Sequence, residues 1–280
     1  MSRKHSRLFI KIILYFVSIG LSILFLLPLI WMIVTAFKPE NRIFQDLTSI
    51  RAFLPMDFTL ENFKNALNNV HMFKYIINST IYISIIMLVS LPINSMCGYA
   101  LAKFEFKGKK LILTLILSLM VFPFESIVIP LFVLVNKMKM LNSLAGLIIP
   151  FSARCFSIYM FRQFFLSVPD EIIEAAEIDG ASKFKTFYSV VVPISGPVFA
   201  TVFILDVVLR WSDFMWPLII TINEDIRTVQ VGVQSLFNDT VIYYGTVMAA
   251  LTLAVLPMLV LFIFFQKYYV QGIATSGMKG

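Results

Sequence analysis

The sequence predicts an all-α membrane protein with six transmembrane helices. Hydrophobic residues fill 59% of its 280 positions, charged residues fill only 14%, and 28 residues are phenylalanine. That composition is too apolar for a soluble domain. A helix of about 20 residues crosses the roughly 30 Å hydrocarbon core of a bilayer, and six stretches of the chain are that long and nearly free of charge. A short acidic segment between the fourth and fifth stretches predicts a helical elbow outside the lipid.

The six stretches differ in the charges that they contain. The first has 26 uncharged residues, which is too long for a cleaved signal peptide, so we expect a retained helix. A charge near the bilayer centre is costly, so each charged side chain should face the helix bundle or a wet cavity. The uncharged stretches are residues 12–37, 75–102 and 240–266; the others are 111–136 with Glu125, 141–161 with Arg154, and 186–209 with Asp206.

Basic residues predict the orientation, because Lys and Arg in short flanks stay on the cytoplasmic side. Residues 1–11 hold four bases and no acid, and the turn 103–110 holds four bases and one acid. The connection 38–74 is nearly balanced and suits an external position, although Lys137 and Lys139 argue for the opposite orientation. We therefore expect a multi-pass protein of a bacterial or archaeal cell membrane with both termini cytoplasmic. Its parts are an N-terminus 1–11, a transmembrane domain 12–266 that includes a cytoplasmic loop 162–193, and a tail 267–280.

No catalytic chemistry is predicted from this sequence. It contains no Ser/His/Asp set, no paired acids and no phosphate-binding glycine-lysine loop. His5 and His71 should lie on opposite sides of the membrane, so a metal site is not expected, and Cys97 and Cys155 are isolated. The formal charge of +7 follows from the membrane topology and does not indicate nucleic acid. We expect a non-enzymatic chain without a cofactor of its own.

The loop 162–193, which we call the elbow, has the start and stop signals of two short helices. Ser167 can cap a first helix whose first turn holds Pro169, and Gly180 supplies a left-handed stop. Ser182 can cap a second helix, which Pro193 and Pro197 end. In the first helix, Ile172, Ile173, Ala175 and Ala176 share one side and Asp170, Glu171, Glu174 and Glu177 the other; in the second, Phe184, Phe187, Tyr188 and Val191 have the spacing of a buried face.

The acidic side of the elbow predicts a docking surface for a protein. The alternative is an amphipathic connector on the lipid headgroups, but anionic lipids would repel these acids, and the basic rim of interfacial helices is missing.

The run from Glu174 to Ser182 resembles the EAA signature of membrane subunits of ATP-binding-cassette importers. Further segments resemble the carbohydrate branch of that family, and within it the second permease subunit of maltose-type importers. These are Leu166–Glu171, Pro123 and Pro130, Leu141–Ser143, Trp211–Pro217, Gln266–Gly272 and Lys279–Gly280. The resemblance covers nearly the whole chain; it departs at Glu177, where many members carry arginine.

The resemblance implies a permease subunit of a binding-protein-dependent importer that moves a sugar or oligosaccharide into the cytoplasm by alternating access. Its implied partners are a second homologous permease, two copies of an ATPase that uses ATP and Mg, an extracytoplasmic sugar-binding protein and membrane lipid. The elbow would then couple the chain to the ATPase. The implied coupling residues are Glu171, Glu174, Ala175, Ala176, Glu177, Asp179, Gly180, Ala181 and Ser182.

Polar residues inside the spans are candidates for the translocation pathway. Helix rise places Glu125 and Asp206 at similar depths and Arg154 deeper. Structural ion pairs are the alternative for these charges. Trp211 and Trp216 suit an interfacial aromatic belt, and the loop 223–239 is a candidate surface for the binding protein. The pathway candidates are Asn78, Asn94, Ser95, Tyr99, Glu125 and Asp206.

Two other functions remain open from the sequence. One is a permease of the same type for another polar nutrient, such as glycerol phosphate. The other is a proton-coupled secondary carrier, which would not need an acidic elbow and shows no inverted repeat in this sequence.

Overall fold

The computed structural model describes residues 3–238 and 240–277, with side chains at 10–238 and 240–266. None of these residues is in a β-strand, and helices make up all the regular structure, which confirms the all-α class. Within the described chain, three helices are long and apolar enough to cross a membrane alone. They are Ile10–Ala36, Met72–Lys103 and Tyr244–Gln266.

The other three predicted spans are bent pairs of helices. The pairs bend by 107°, 44° and 80°, and the total is six only if each pair counts as one span. Pro123 is extended at the first break, and Arg154 is extended at the second. At the third, Ser195 interrupts the helix and Pro197 opens the next one. Hydropathy does not detect such breaks, because they depend on backbone dihedral angles.

The chain forms two compact units, and the first comprises Met1–Phe73 and Gly232–Leu256. It contains the connection 38–74, which was expected only as an external loop but carries regular structure. Its elements are α1 (Arg3–Ala36), α2 (Glu40–Gln45), a 3₁₀ turn (Ile50–Phe53), α3 (Glu61–Asn68) and the beginning of α15 (Tyr244–Gly277).

Polar side chains organise this first unit. The Glu40 carboxylate accepts hydrogen bonds from the backbone N–H groups of Tyr244 and Gly245, each at 2.8 Å, and so caps the N-terminus of α15. Lys38 is 2% exposed and pairs with Asp46 at 3.0 Å. Because a buried ammonium needs a counter-charge, this pair holds the segment after α1 in place.

The second unit comprises Lys74–Val231 and Pro257–Gly280. In it α8 packs against both α5 and α12. Its elements after α4 (Met72–Lys103) are α5 (Lys109–Leu119), α6 (Phe124–Lys137), α7 (Leu144–Ile148), α8 (Cys155–Leu166), α9 (Asp170–Ile178), α10 (Lys183–Thr186), a π-helical turn (Phe187–Val191), α11 (Val192–Ile194), α12 (Gly196–Ser212), α13 (Met215–Ile220) and the beginning of α14 (Val229–Ser235).

Gly98 marks the closest approach of α4 to α8. A Cβ atom on Gly98 would lie 2.6 Å from the Cβ atom of Phe161 and 2.9 Å from the backbone nitrogen of Arg162. These distances are shorter than any normal contact, so the two helix backbones meet here only because residue 98 lacks a side chain.

The two tryptophans of the Trp211–Pro217 segment are buried, so the aromatic-belt interpretation was wrong. Trp211 is 6% exposed, and Trp216 is fully buried. The Trp216 indole donates to the carbonyl of Gly146 at 3.1 Å and packs edge-on against Phe151. A belt residue would contact lipid, whereas Trp216 satisfies its N–H inside the protein.

The predicted C-terminal tail is described only in part. The backbone of α15 stays helical to Gly277, past the predicted end of the sixth span. Lys279 and Gly280, and the side chains of 267–277, lie outside the described residues.

Candidate functional site

The first helix of the elbow, α9, begins at Asp170 and not at a Ser167 cap. Pro169 is extended at its N-cap position and makes no side-chain cap. The Ser167 hydroxyl instead donates to the carbonyl of Phe164 at 2.6 Å, at the end of α8. Ser167 therefore ends α8 and does not cap α9, so the predicted N-cap was wrong. In a linker this short, the sequence alone allows Ser167 to act at either helix end.

A contact that the sequence did not suggest anchors the beginning of α9. The Lys103 ammonium, at the end of α4, donates to Asp170 Oδ1 at 2.6 Å and to the carbonyl of Val168 at 2.5 Å. The Lys103 side chain is only 9% exposed, although Asp170 is 74% exposed. The first helix of the elbow is thus tied to the helix that precedes the turn 103–110.

Gly180 ends α9 as the sequence predicted. Its φ of +83° is in the left-handed region, which glycine adopts without strain. The Gly180 N–H donates to the carbonyl of Glu177, and the Ala181 N–H donates to the carbonyl of Ala176, both at 3.0 Å. These two bonds form a Schellman motif, which fixes the direction of the chain after the helix.

The second helix of the elbow begins at Ser182, whose hydroxyl accepts a bond from the Lys185 N–H at 3.3 Å. Its predicted buried face is only half correct: Phe187 and Val191 are buried, but Phe184 and Tyr188 are exposed. The reason is the π-helical turn from Phe187 to Val191, which widens the helical repeat, so spacing based on 3.6 residues per turn fails there.

One apolar core lies beneath both helices of the elbow. Tyr99 is 3% exposed in it, and its ring packs 5.0 Å from that of Phe187 and 5.6 Å, edge-on, from that of Phe165. Because close-packed cores transmit displacement, a movement of the elbow would reach three spans at once. The core consists of Tyr99 and Ala102 of α4, Phe161 and Phe165 of α8, Val168, Ile173 of α9, Phe187 and Val191 of the π turn, and Val198 and Val202 of α12.

The outer surface of the elbow combines acids with uncovered apolar side chains. Ile178 is 85% exposed and Phe184 is 65% exposed, while Ile173 alone is buried in α9. The predicted apolar side is therefore split, since Ile172 and Ala175 are exposed as well. Of the nine implied coupling residues, Ala176 and Ala181 are half-buried, and the exposed ones are Glu171, Glu174, Ala175, Glu177, Asp179, Gly180 and Ser182.

Two of the pathway candidates meet around Arg154. The Arg154 guanidinium pairs with the Asp206 carboxylate, which also accepts a bond of 3.0 Å from the Ser157 hydroxyl. The Asn94 amide oxygen accepts a bond of 2.9 Å from the Arg154 N–H. Arg154 and Asp206 are therefore in side-chain contact, while their relative depth in the membrane stays a prediction. A paired Asp206 agrees with the structural alternative.

Two further candidates have partners of their own. Ser95 donates to the carbonyl of Pro92 within α4 at 3.1 Å. The Asn78 amide donates to the carbonyls of Asp225 and Arg227, at 2.8 and 3.0 Å. Lys74 also holds this loop, because it pairs with Asp225 at 2.7 Å and its hydrogen bond lowers the pKa of Asp225. Tyr99, the fifth candidate, is in the core under the elbow.

Glu125 differs from the other five candidates. It lies in the first turn of α6, directly after the 107° break, and is exposed. No ion pair joins it to another described side chain. A carboxylate at this position inside a span needs water, a partner chain or a ligand.

Sequence reasoning missed Lys103 and Ser157. In the sequence, Lys103 counted only as one of the basic residues that predict orientation. Its position directly after the apolar stretch 75–102 was the signal that its ammonium could bind a group at the membrane surface. Ser157 had none, because its role depends on Asp206, 49 residues away.

Comparison with known proteins agrees with the resemblance. A family model described as "Binding-protein-dependent transport system inner membrane component" matches residues 90–275. The arabinooligosaccharides transport system permease protein AraQ of Halalkalibacterium halodurans is 32% identical over 254 residues, which cover 90% of this chain and 91% of AraQ. The trehalose/maltose transport system permease protein MalG of Thermococcus litoralis is 33% identical over 277 residues, which cover 96% and 97% of the two chains.

The fold also matches a solved structure. A chain from a bacterial ABC transporter involved in the import of the acidic polysaccharide alginate aligns with a TM-score of 0.82. The alignment covers 96% of this chain and 99% of that chain at 22% identity. At that identity the likeness concerns the fold.

Proposed function

Because the chain belongs to the family of binding-protein-dependent transport system inner membrane components, we propose that it is one permease subunit of an ATP-driven importer for a sugar or oligosaccharide. A second, homologous permease completes the membrane pathway. Two copies of an ATPase bind ATP and Mg on the cytoplasmic side, and an extracytoplasmic binding protein delivers the cargo. The permease chain itself carries out no chemical step.

The names of the relatives support a carbohydrate cargo. AraQ is named for arabino-oligosaccharides and MalG for trehalose and maltose, and each alignment covers at least nine-tenths of both chains. Glycerol phosphate as cargo is the second candidate within the same family.

The proposal that an ATPase docks on the elbow rests on the exposed surface of its two helices. Ile178 and Phe184 are large apolar side chains in contact with water in the isolated chain, next to the carboxylates of Glu174 and Glu177. A partner with an apolar pocket and a basic rim would bury the first pair and neutralise the second. In this arrangement the elbow and both chain termini are cytoplasmic, and the loop 223–239 faces the binding protein.

The way in which the elbow is packed on the membrane helices explains how ATP binding is coupled to transport. ATP binding stabilises one state of the complex relative to the other, and only such a difference in free energy can drive alternating access. When the ATPases close, they displace α9. The displacement reaches α4, α8 and α12 through Ile173 and Phe187, which are packed in the core shared with these helices. The elbow therefore acts as a stiff lever.

For the pathway itself, Glu125 is the candidate that we retain. Its carboxylate is exposed at a break in a span and can accept hydrogen bonds from the hydroxyl groups of a passing sugar. The other five candidates are less suited to contact the cargo, because each has a structural partner or a core position within this chain. They are Asn78, Asn94, Ser95, Tyr99 and Asp206.

Reconstitution tests the proposal. The complex of both permeases, the ATPase and the binding protein is placed in proteoliposomes, and ATP hydrolysis and uptake of labelled oligosaccharide are measured together. Ile178→Asp should release the ATPase from the detergent-solubilised complex, whereas Ile50→Asp, at a 77% exposed position of the first unit, should not. Uptake driven by a proton gradient without any bound ATPase would instead establish a secondary carrier.

A further inference from the structure

Arg210 is a buried cation without a counter-ion. It lies in the last turn of α12, is 6% exposed, and forms no ion pair with any described carboxylate. Among the residues that the structure describes, its Nε atom has no hydrogen-bond partner. Arg154, the half-buried arginine at the N-cap of α8, has Asp206 as its partner. A charge buried in this way is expensive, so it points to a group that the isolated chain does not supply.

A second buried polar group, the Tyr82 hydroxyl, is next to Arg210. Tyr82 of α4 is 1% exposed, and its hydroxyl also lacks a hydrogen-bond partner of normal geometry. The Arg210 guanidinium adjoins this hydroxyl, attracts it electrostatically and is placed to give it a weak hydrogen bond. Two buried polar groups from two different helices, α4 and α12, therefore converge, and their contact leaves the Arg210 Nε–H without a partner among the described residues.

Acids near Arg210 do not neutralise it. Asp206 is one helical turn away on α12, but its carboxylate is already engaged by Arg154 and Ser157. The Asp213 carboxylate is attracted by the Arg210 guanidinium but forms no ion pair with it. Burial raises the pKa of Asp213, and this effect outweighs the lowering by Arg210. The positive charge of Arg210 therefore has no ion pair among the described residues.

An aromatic wall adjoins the two donors. The guanidinium carbon of Arg210 lies 4.5 Å from the ring centre of Phe151. That ring packs against Trp216 at 5.5 Å and against Phe124, the neighbour of Glu125, at 5.7 Å. The wall thus runs from the buried cation to the break before α6, where the exposed carboxylate of Glu125 is located.

We propose that Arg210 and Tyr82 form the anion-binding part of the cargo site, and that the cargo is a sugar that carries a carboxylate, sulfonate or phosphate group. The inference rests on the proposed importer function. A guanidinium binds such groups through two parallel hydrogen bonds. The Tyr82 hydroxyl supplies a further donor, and Glu125 accepts bonds from the hydroxyl groups of the same sugar. Arg210 is then the residue that selects a charged cargo over a neutral one.

The reconstituted complex tests this selectivity with three probes. They are a trisaccharide of uronic acids, a neutral trisaccharide and glycerol phosphate, each measured by uptake and by stimulation of ATP hydrolysis. The wild-type complex should respond to at least one anionic probe about tenfold better than to the neutral one. Arg210→Gln should remove about tenfold of that response and leave the neutral response unchanged, and Arg210→Lys should keep part of it. Arg42→Gln, which breaks an exposed ion pair with Asp57, is the matched control and should change nothing.

The possible results separate the two proposals. A preference for the neutral trisaccharide, or an equal loss for all probes in Arg210→Gln, would overturn the anion site and leave the importer function intact. No response to any of the three probes would contradict the importer function itself. If Arg210→Gln fails to assemble, Tyr82→Phe replaces it. This variant keeps the ring and should raise KM several-fold for the anionic probe alone; an unchanged KM would overturn the proposal.

Discussion

Lys103 and Asp170 form an ion pair of 2.6 Å that joins the end of α4 to the beginning of α9. The same ammonium also bonds the carbonyl of Val168. The linker between α8 and α9 is only three residues long, and the Lys103 side chain anchors both its Val168 and the first residue of α9 to α4. In an importer it would stiffen the lever between ATPase and permease.

Lys103→Met should therefore reduce the uptake per ATP hydrolysed several-fold. Asp170 is largely exposed, so the loss of stability should be only about 1 kcal/mol, and the complex should still assemble. The measurement is the ratio of sugar uptake to ATP hydrolysis in proteoliposomes. Lys109→Met breaks a similar ion pair with Glu105 outside the elbow and serves as the control. A normal ratio in Lys103→Met would show that the pair does not stiffen the elbow.

Gly180→Pro should uncouple ATP hydrolysis from uptake without preventing membrane insertion. Proline cannot adopt a φ of +83° and lacks the N–H that binds the carbonyl of Glu177. Gly180→Ala has space for its Cβ but should cost about 1 kcal/mol, because the left-handed conformation strains alanine. Gly196→Ala, at an open position without positive φ, should be neutral. Wild-type uptake in Gly180→Pro would contradict the lever mechanism.

Asp206→Asn should destabilise the chain by about 3 kcal/mol, because the Asp206 carboxylate is buried and its loss leaves the Arg154 guanidinium without a counter-charge. The double variant Arg154→Met/Asp206→Leu should recover most of that loss. Thermal unfolding of the detergent-solubilised chain measures both effects. If Asp206→Asn left the melting temperature unchanged and altered only the KM for sugar, Asp206 would be a pathway residue after all.

Gly98→Ala should separate α4 from α8. The added Cβ would be 2.6 Å from that of Phe161, and moving the backbones apart should cost about 1–3 kcal/mol. Gly20→Ala is the matched control, because no atom lies within 4 Å of the Cβ that would be added there. This variant should keep the wild-type melting temperature. Equal melting temperatures for the two variants would mean that the helices do not approach this closely.

The pKa of Asp225 should return to its usual range, about 3.9, in the variant Lys74→Met. The hydrogen bond from Lys74 lowers the pKa of Asp225 in the folded chain. The bond therefore stabilises the loop above the usual pKa of aspartate, and its contribution is lost as the pH falls through the lower, folded-state value. Carboxyl NMR titration measures the shift, with Lys64→Met as the control. Identical titration curves for Asp225 in all three chains would refute the bond.

Local features of the elbow were predictable because they depend on neighbouring residues. Ser182 caps the second helix and Gly180 stops the first, as capping and φ preferences require. The error at Phe184 and Tyr188 arose from the π-helical turn, which a 3.6-residue period does not represent. The candidate pathway was less predictable, because polarity alone did not separate exposed Glu125 from Asn78, whose partners are about 150 residues away.

By itself the sequence determined the class, the six apolar stretches and the likeness to sugar permeases, because hydropathy, helix caps and signature residues are properties of short segments. Only the tertiary structure decided that three of those stretches are bent, that Arg154 meets Asp206, and that Arg210 is buried without an ion pair to any described side chain. These outcomes depend on which side chains become neighbours when distant helices pack. A charge in an apolar segment shows that a partner is required, but contact across the fold decides which residue, if any, provides it.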